Sequence, residues 1–119
     1  MKSKRVILVV ESTKTALDRA VSVIKKPTRK YANMLIISFP DFDTLGKVIT
    51  GARLELLTAI RVHKPKSIQE LAKLVERDFK NVYQDVKLLA EYGLITLKES
   101  GPRRASKPES KFSELVLAA

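Results

Sequence analysis

The 119-residue sequence is 45% hydrophobic, enough to form one domain with a buried core, or one domain with a short appendage. It has no cysteine, which excludes disulfides and thiolate metal sites, and its apolar stretches are too short for a signal peptide or a membrane span. Its 23 lysines and arginines against 13 acidic residues give a formal net charge of +10, which predicts a polyanionic partner, nucleic acid before membrane.

The first forty residues predict a strand, a helix and a second strand. Residues 5–10 and 34–39 are apolar runs typical of strands. Between them a stripe at helical spacing predicts a helix over about residues 13–26, formed by Ala16, Leu17, Ala20, Val21 and Ile24. The two strands are expected to pair in parallel, but two strands do not make a stable sheet. A third must come from residues 112–117 or from a second copy, and this requirement is the basis for predicting a homodimer.

From residue 41 onward the pattern is helical. A short helix that begins at Asp43 or Thr44 is expected over residues 45–49, and a longer one follows Thr50. The next helix begins with a capping box at residues 67–70, in which Ser67 accepts a free amide hydrogen and Glu70 reaches back to the Ser67 amide.

The last predicted helix leads into a strand. Asp78 is expected to cap it, and Gly93 can adopt the left-handed conformation that ends a helix. A strand at residues 94–97, a basic loop at residues 99–110 and a final strand follow. Helices separated by tight turns and followed by this arrangement are typical of a helix-turn-helix with a wing.

The last helix has two different faces. Its apolar face is expected to pack inward and consists of Phe79, Val82, Val86 and Leu89. Its polar face is the candidate DNA-binding surface and consists of Lys80, Asn81, Tyr83, Gln84 and Lys87. Lysine neutralises phosphate, asparagine and glutamine can pair with adenine, and tyrosine can reach phosphate or a thymine methyl group. Asp85 lies near the buried edge and is assigned a structural role. The alternative interpretation of the polar face is that it is the solvated side of an ordinary core helix.

The basic loop offers further cations. Arg103, Arg104 and Lys107 stand among glycine, proline and serine residues in residues 99–110. A flexible, exposed loop of this composition can follow a phosphate backbone or enter the minor groove. The alternative interpretation is a hairpin tip that its charge keeps soluble.

Residues that could support catalysis or metal binding are few. His63 is the only histidine, and stabilisation of a helix end explains it better than catalysis. Asp41 and Asp43 resemble a carboxylate pair, but Asp43 stands where a helix cap belongs, and no third ligand is near. The sequence has no glycine-rich phosphate loop and no Ser-His-Asp set. We therefore expect no enzymatic activity, no cofactor and no metal.

Residues 53–101 resemble the winged-helix module of MarR- and ArsR-like regulators. The whole chain resembles a family of small prokaryotic, mainly archaeal, DNA-binding proteins with the pattern RDxKNVxxDVKxLxExGLI, which here runs from Arg77 to Ile95. The resemblance implies transcriptional regulation, including service as the antitoxin or autoregulator of a toxin operon with a toxin as protein partner. In that wider class, the residues that match Tyr83 and Gln84 commonly face the bases.

These observations predict an α+β fold with two parts. Residues 1–40 form a strand-helix-strand dimerisation element, and residues 41–119 form a winged helix-turn-helix. The expected function is sequence-specific binding of double-stranded DNA by a cytoplasmic transcriptional repressor that occludes a promoter. Because a fold does not fix function, an RNA-binding or protein-interaction module remains the alternative from another class.

Overall fold

A computed structural model describes residues 4–25, 33–100, 105–110 and 112–118. These ranges contain five helices and five strands, so the fold is α+β, as predicted. The helices are α1 (Thr13–Lys25), α2 (Phe42–Val48), α3 (Gly51–His63), α4 (Ile68–Leu74) and α5 (Phe79–Glu91). The strands are β1 (Lys4–Val10), β2 (Met34–Phe39), β3 (Thr96–Ser100), β4 (Ala105–Glu109) and β5 (Phe112–Ala118). None of the helices in the described ranges is both long and apolar enough to cross a membrane.

The chain divides into two compact units. The sheet unit comprises residues 1–48 and 112–119, and the helical unit comprises residues 49–111. This division differs from the predicted boundary after residue 40. The reason is that α2 packs with β2, and the C-terminal strand β5 pairs with β1. Both elements therefore belong with the N-terminal strands.

The sheet unit is built on three parallel strands in the order β2-β1-β5. Leu8 of the central strand lies opposite Ile37 on one side and Leu117 on the other. The predicted parallel pairing of the first two strands is confirmed, and the chain's own C-terminus supplies the third. The sheet is therefore complete without a second copy, and the need for a third strand ceases to be an argument for a homodimer.

One face of this sheet is buried. Val6 and Leu8 are 0% and 1% exposed, and Ile37 and Phe39 of the neighbouring strand are also buried. The intervening residues, which point to the other face, are half-buried, among them Ile7, Val9 and Ile36. Because Ile7 and Val9 on the second face are also partly covered, the sequence of the central strand is a continuous apolar run from Val6 to Val10 rather than an alternating one.

A polar cluster joins α1 to the strand ends. The Ser38 hydroxyl donates to the Glu11 carboxylate at 2.7 Å, and Arg19 donates to Ser38 at 3.1 Å and pairs with Glu11. The pKa of Glu11 lies below its ordinary value, chiefly because its carboxylate accepts the Ser38 hydrogen bond. Desolvation opposes this effect, and the contacts with Arg19 add to it. This cluster connects α1 to both β1 and β2 through charged groups.

The apolar stripe predicted for α1 is only partly covered. The helix has no buried residue, and Ala16 is half-buried. Three large apolar side chains of the stripe are exposed: Leu17 by 60%, Val21 by 47% and Ile24 by 77%. An amphipathic helix of this kind usually buries its apolar stripe, but α1 leaves these three residues at the surface. The helix itself runs from Thr13, close to the predicted bounds.

The cap of α2 is Asp41 rather than Asp43. The Asp41 carboxylate accepts the Thr44 amide hydrogen at 2.7 Å, and this backbone hydrogen bond holds the pKa of Asp41 below its ordinary value. Asp43 lies inside the helix and pairs with Lys47 at 3.2 Å. The helix therefore begins earlier than predicted, because the cap lies two residues nearer the N-terminus.

The helical unit has the caps that the sequence predicts. The side-chain oxygens of Thr50, Ser67 and Asp78 accept the amide hydrogens of Arg53, Glu70 and Asn81 at 3.2, 3.0 and 3.4 Å. The reciprocal bond of the capping box differs, since the Glu70 carboxylate accepts from the Lys66 amide at 3.4 Å and not from Ser67. Gly93 has φ 80°, the left-handed conformation expected after the last helix.

The core of the helical unit lies among α3, α4, α5 and the hairpin. The helices pack against one another, and α3 and α4 also pack against β4. Side chains that are at most 2% exposed fill this core: Leu56, Ile60, Leu71, Val82, Val86, Leu89, Leu94 and Pro108. The strand β4 lies within the loop predicted at residues 99–110. Its Pro108 pairs in register with Leu97 in a two-stranded sheet, where a proline costs no interior ladder hydrogen bond.

Candidate nucleic-acid interface

The helix α5 buries a narrow apolar stripe. Val82, Val86 and Leu89 are each 0% exposed and fix which side of the helix faces the core. Phe79, which the sequence assigned to this stripe, is 47% exposed, so that assignment is wrong. Phe79 is the first residue of α5, directly after the Asp78 cap, and the buried residues of the helix begin one turn later at Val82.

The predicted polar residues of α5 are exposed together. They are Lys80, Asn81, Gln84 and Lys87, with Tyr83 41% exposed. Within the described residues, the side chains of Lys80, Asn81 and Gln84 make no hydrogen bond or ion pair. Their donors and acceptors are therefore available to a ligand without breaking an internal contact among these residues.

Two aromatic rings and a lysine form a row along α5. The rings of Phe79 and Tyr83 stack with centroids 5.9 Å apart and an interplanar angle of 25°. The Lys87 ammonium group lies 5.9 Å from the centroid of the Tyr83 ring, in the range of a cation–π contact. The three residues follow one another at a spacing of four, so they lie on one side of the helix. Tyr83 is thereby held between a ring and a positive charge at the surface.

Asp85 anchors α5 from below this surface. Its carboxylate is 15% exposed and accepts from the Arg53 guanidinium at 3.1 Å and from the Arg77 guanidinium at 2.8 Å. Arg53 belongs to α3, and Arg77 lies in the turn before α5, so one carboxylate fixes the helix to two other segments. The structural role predicted for Asp85 is confirmed.

The hairpin holds one of the three predicted loop cations within the described residues. Lys107 lies on β4, half-buried and directly opposite Lys98 of β3. The Lys98 ammonium group pairs with the Glu109 carboxylate at 3.1 Å. Arg103 and Arg104 lie outside the described residues. Lys107 is therefore part of a strand rather than of a flexible loop.

The sequence did not single out two exposed residues of α5 and the hairpin, Phe79 and Lys98. Phe79 extends the exposed side of α5 towards its N-terminus, and its position directly after the Asp78 cap could have indicated this. Lys98 lies across from Lys107, and the alternation of polar and apolar residues at positions 96–98 is the signal that places it on the polar side of a strand.

The arrangement can bind a polyanion and can form hydrogen bonds with base edges. Lys80 and Lys87 supply positive charge, while the amides of Asn81 and Gln84 can donate and accept at the same time. Within the described residues, no group of three or more histidine or acidic side chains could hold a metal ion.

The comparison that gives a match is with a family model. The HVO_A0114 model matches residues 48–117, which is more than half of the chain. The chain belongs to the HVO_A0114 family. The segment that matches this family runs from the end of α2 through α3, α4, α5 and the hairpin into β5, so it includes the whole candidate interface. Comparisons with curated proteins and with solved structures give no match.

Proposed function

We propose that this protein is a transcriptional regulator that binds double-stranded DNA through α5 and the β3–β4 hairpin. The observation that carries the proposal is the division of α5 into two faces. Val82, Val86 and Leu89 are fully buried, while the polar residues predicted for DNA contact are exposed on one side. A helix held in this way presents a fixed row of donors, acceptors and cations.

The dimensions of α5 suit the major groove. A helix of 13 residues is about 20 Å long, and the major groove is about 12 Å wide, so a helix can lie within it. Lys80, Asn81, Tyr83 and Gln84 lie in the first two turns. The N-terminal half of α5 is therefore the part that would read the bases, and the partial positive charge of the helix N-terminus favours a nearby phosphate.

The hairpin is proposed to act as the wing. It follows α5 directly, is antiparallel, and packs through β4 on α3 and α4 of the same unit. Lys98 already pairs with the Glu109 carboxylate, whereas Lys107 has no ion pair among the described residues. Lys107 is therefore the hairpin cation that would contact the phosphate backbone. A contact of this kind positions the protein on DNA without reading its sequence.

The exposed aromatic pair raises the alternative of single-stranded RNA, since bases stack on exposed rings. The rings of Phe79 and Tyr83 stack on each other, and Lys87 lies over Tyr83. Phe79 thus already has one ring contact, and Tyr83 is in contact with both the Phe79 ring and the Lys87 ammonium group. This arrangement favours contact with phosphate or a thymine methyl group over insertion between bases, and supports duplex DNA as the target.

Competition and salt titrations test this proposal. We expect binding to a duplex selected from random sequences to weaken steeply as salt rises, because bound lysines release condensed counterions. Fluorescence anisotropy at several salt concentrations, with single-stranded RNA of the same length as competitor, measures both properties. Affinity that does not change with salt, or preference for the RNA, would contradict the proposal.

A set of three variants tests the assignment of α5. Gln84→Ala should cost about 1–3 kcal/mol on the selected duplex and little on random DNA, if the amide pairs with a base. Lys80→Ala should weaken binding to both duplexes and reduce the salt slope by about one unit. Lys14→Ala, on α1 and in the other compact unit, removes the same charge and should leave the specific affinity nearly unchanged. Equal losses for Gln84→Ala on both duplexes would show that Gln84 does not read bases.

A further inference from the structure

The exposed apolar strip of α1 is unusual for a helix whose neighbours include a largely apolar sheet. Leu17, Val21 and Ile24 are 60%, 47% and 77% exposed, and they follow one another at spacings of four and three. Such spacing forms a continuous strip on one side of a helix. We propose that this strip is the homodimer interface, in which α1 packs antiparallel against α1 of a second copy.

Charges beside the strip make it complementary to itself. Asp18 and Lys25 lie on the same flank of α1, and with Val21 and Ser22 they line one open groove. Asp18 precedes Val21 by three residues, and Lys25 follows it by four. When two copies of α1 run antiparallel about a twofold axis beside Val21, Asp18 of each copy lies beside Lys25 of the other, and the axis generates this pair twice. The same arrangement places Leu17 beside Ile24 of the second copy.

The surroundings of these charges favour a second copy over an unrelated partner. Asp18 has Lys14 as its neighbour on the same helix at 4.0 Å, with side chains 71% and 89% exposed, so the internal pair is loose. A second copy offers a cation and an apolar strip at matching positions along the helix. A membrane surface offers no counterpart for Asp18, whose charge an anionic bilayer would repel.

The size of the interface sets the expected affinity. A 13-residue helix is about 20 Å long, so pairing two of them buries less than the about 1,200–2,000 Å² of a standard stable interface. We therefore expect dissociation in the micromolar range. This inference goes beyond DNA binding and does not depend on it, because the contact lies in the sheet unit and can be measured without nucleic acid.

Sedimentation equilibrium of the full chain without DNA tests the apolar contact. We expect a monomer–dimer equilibrium, and Val21→Glu should raise its dissociation constant at least about tenfold, since two like charges would meet at the axis. Leu117→Glu is the matched control. Leu117 is an apolar residue of the same unit on the edge strand β5, 51% exposed, and its substitution should leave the equilibrium unchanged. Far-UV circular dichroism would verify that both variants remain folded.

Charge reversal tests the orientation of the two helices. Asp18→Lys and Lys25→Asp should each weaken the dimer by about 3–10-fold, as expected for two surface ion pairs. The double variant should recover the original dissociation constant, because it restores both pairs with opposite sign. Recovery cannot arise within one helix, where residues seven apart are about 10 Å from each other.

Three results would overturn the inference. They are a chain that stays monomeric at hundreds of micromolar, a dimer that weakens with Leu117→Glu but not with Val21→Glu, and charge reversals without recovery in the double variant. Cosedimentation of a monomeric chain with phosphatidylglycerol vesicles, abolished by Val21→Glu, would assign the strip to a membrane instead.

Discussion

The helices α1 and α5 have the same length, 13 residues, and both are amphipathic in sequence. In α5 the residues Val82, Val86 and Leu89 are fully buried, whereas in α1 the most exposed apolar residue, Ile24, is 77% exposed. Periodicity therefore predicts that a helix forms and which side is apolar, but it does not state what that side contacts. In α5 the apolar side is covered by the chain itself, and in α1 part of the apolar side is exposed.

The two helices are also connected to their units by different means. Asp85, next to the buried stripe of α5, accepts hydrogen bonds from two arginines. On α1, Arg19 connects the helix to the strands through Glu11 and Ser38. Hydrophobic burial contributes most where α5 packs, and polar contacts are prominent where α1 is held. Substitutions in the two helices should therefore differ in size, and the expected effects below run from the largest to the smallest.

The largest difference is expected for apolar truncation. Leu89→Ala in α5 should lower the free energy of unfolding by about 2–5 kcal/mol, because it leaves a cavity in a closed core. Leu17→Ala in α1 is the matched control and should change this free energy by no more than about 0.5 kcal/mol, because Leu17 is 60% exposed. Urea denaturation followed by circular dichroism at low protein concentration measures both. Similar losses in the two variants would remove the contrast between the helices.

The next effect concerns the charged anchors. Asp85→Asn should cost about 1.5–3 kcal/mol, since the carboxylate accepts from two guanidinium groups that are 19% and 27% exposed. Asp18→Asn on α1, where the ion pair with Lys14 is exposed, should cost less than about 0.5 kcal/mol. The same denaturation experiment compares them, and an Asp85→Asn variant as stable as the original chain would show that the anchor contributes nothing.

The polar cluster at α1 predicts a pH dependence. The pKa of Glu11 is lowered in the folded chain, chiefly by the Ser38 hydroxyl, so its contribution to stability is fully present above the ordinary value of 4.5. This contribution is lost as pH falls through the lower pKa of the folded chain. Glu11→Gln should therefore be less stable near neutral pH, with the deficit shrinking in acid. Thermal denaturation between pH 3 and 7 measures this, and a deficit that does not change with pH would contradict the assignment.

The sequence predicts the fold better than the partners of its surfaces. Local signals held where they depend on neighbouring residues: the caps at Ser67 and Asp78, the end at Gly93, and the strand pattern at residues 34–39. The sequence does not predict β4, because residues 105–109 include Pro108 and have the composition of a loop. They form a strand only through their pairing with β3. Which strand completes the sheet depends on a contact between residues more than a hundred positions apart, and no local pattern contains it.

The candidate site shows the same limit at single residues. The exposed polar face of α5 follows from periodicity over three turns, and all five of its predicted residues lie on the exposed side. Phe79 obeys the same periodicity but stands at the end of the stripe, where tertiary packing decides its exposure. Its burial could only be known once the extent of the packed core was known.

The last prediction concerns Phe79, whose truncation distinguishes an exposed position from a place in the buried stripe of α5. In the structure it is 47% exposed and stacks on Tyr83, so Phe79→Ala should cost about 1–2 kcal/mol, from the lost aromatic contact and the half-buried ring. If the residue belonged to the buried stripe, as its spacing suggests, the same change should cost about 3–5 kcal/mol. Phe79→Leu provides the control, since it keeps apolar bulk and removes the ring contact. Urea denaturation of both variants measures the cost. A loss above about 3 kcal/mol for Phe79→Ala that Phe79→Leu largely restores would place Phe79 in the core and shorten the exposed row on α5 to Tyr83 and Lys87.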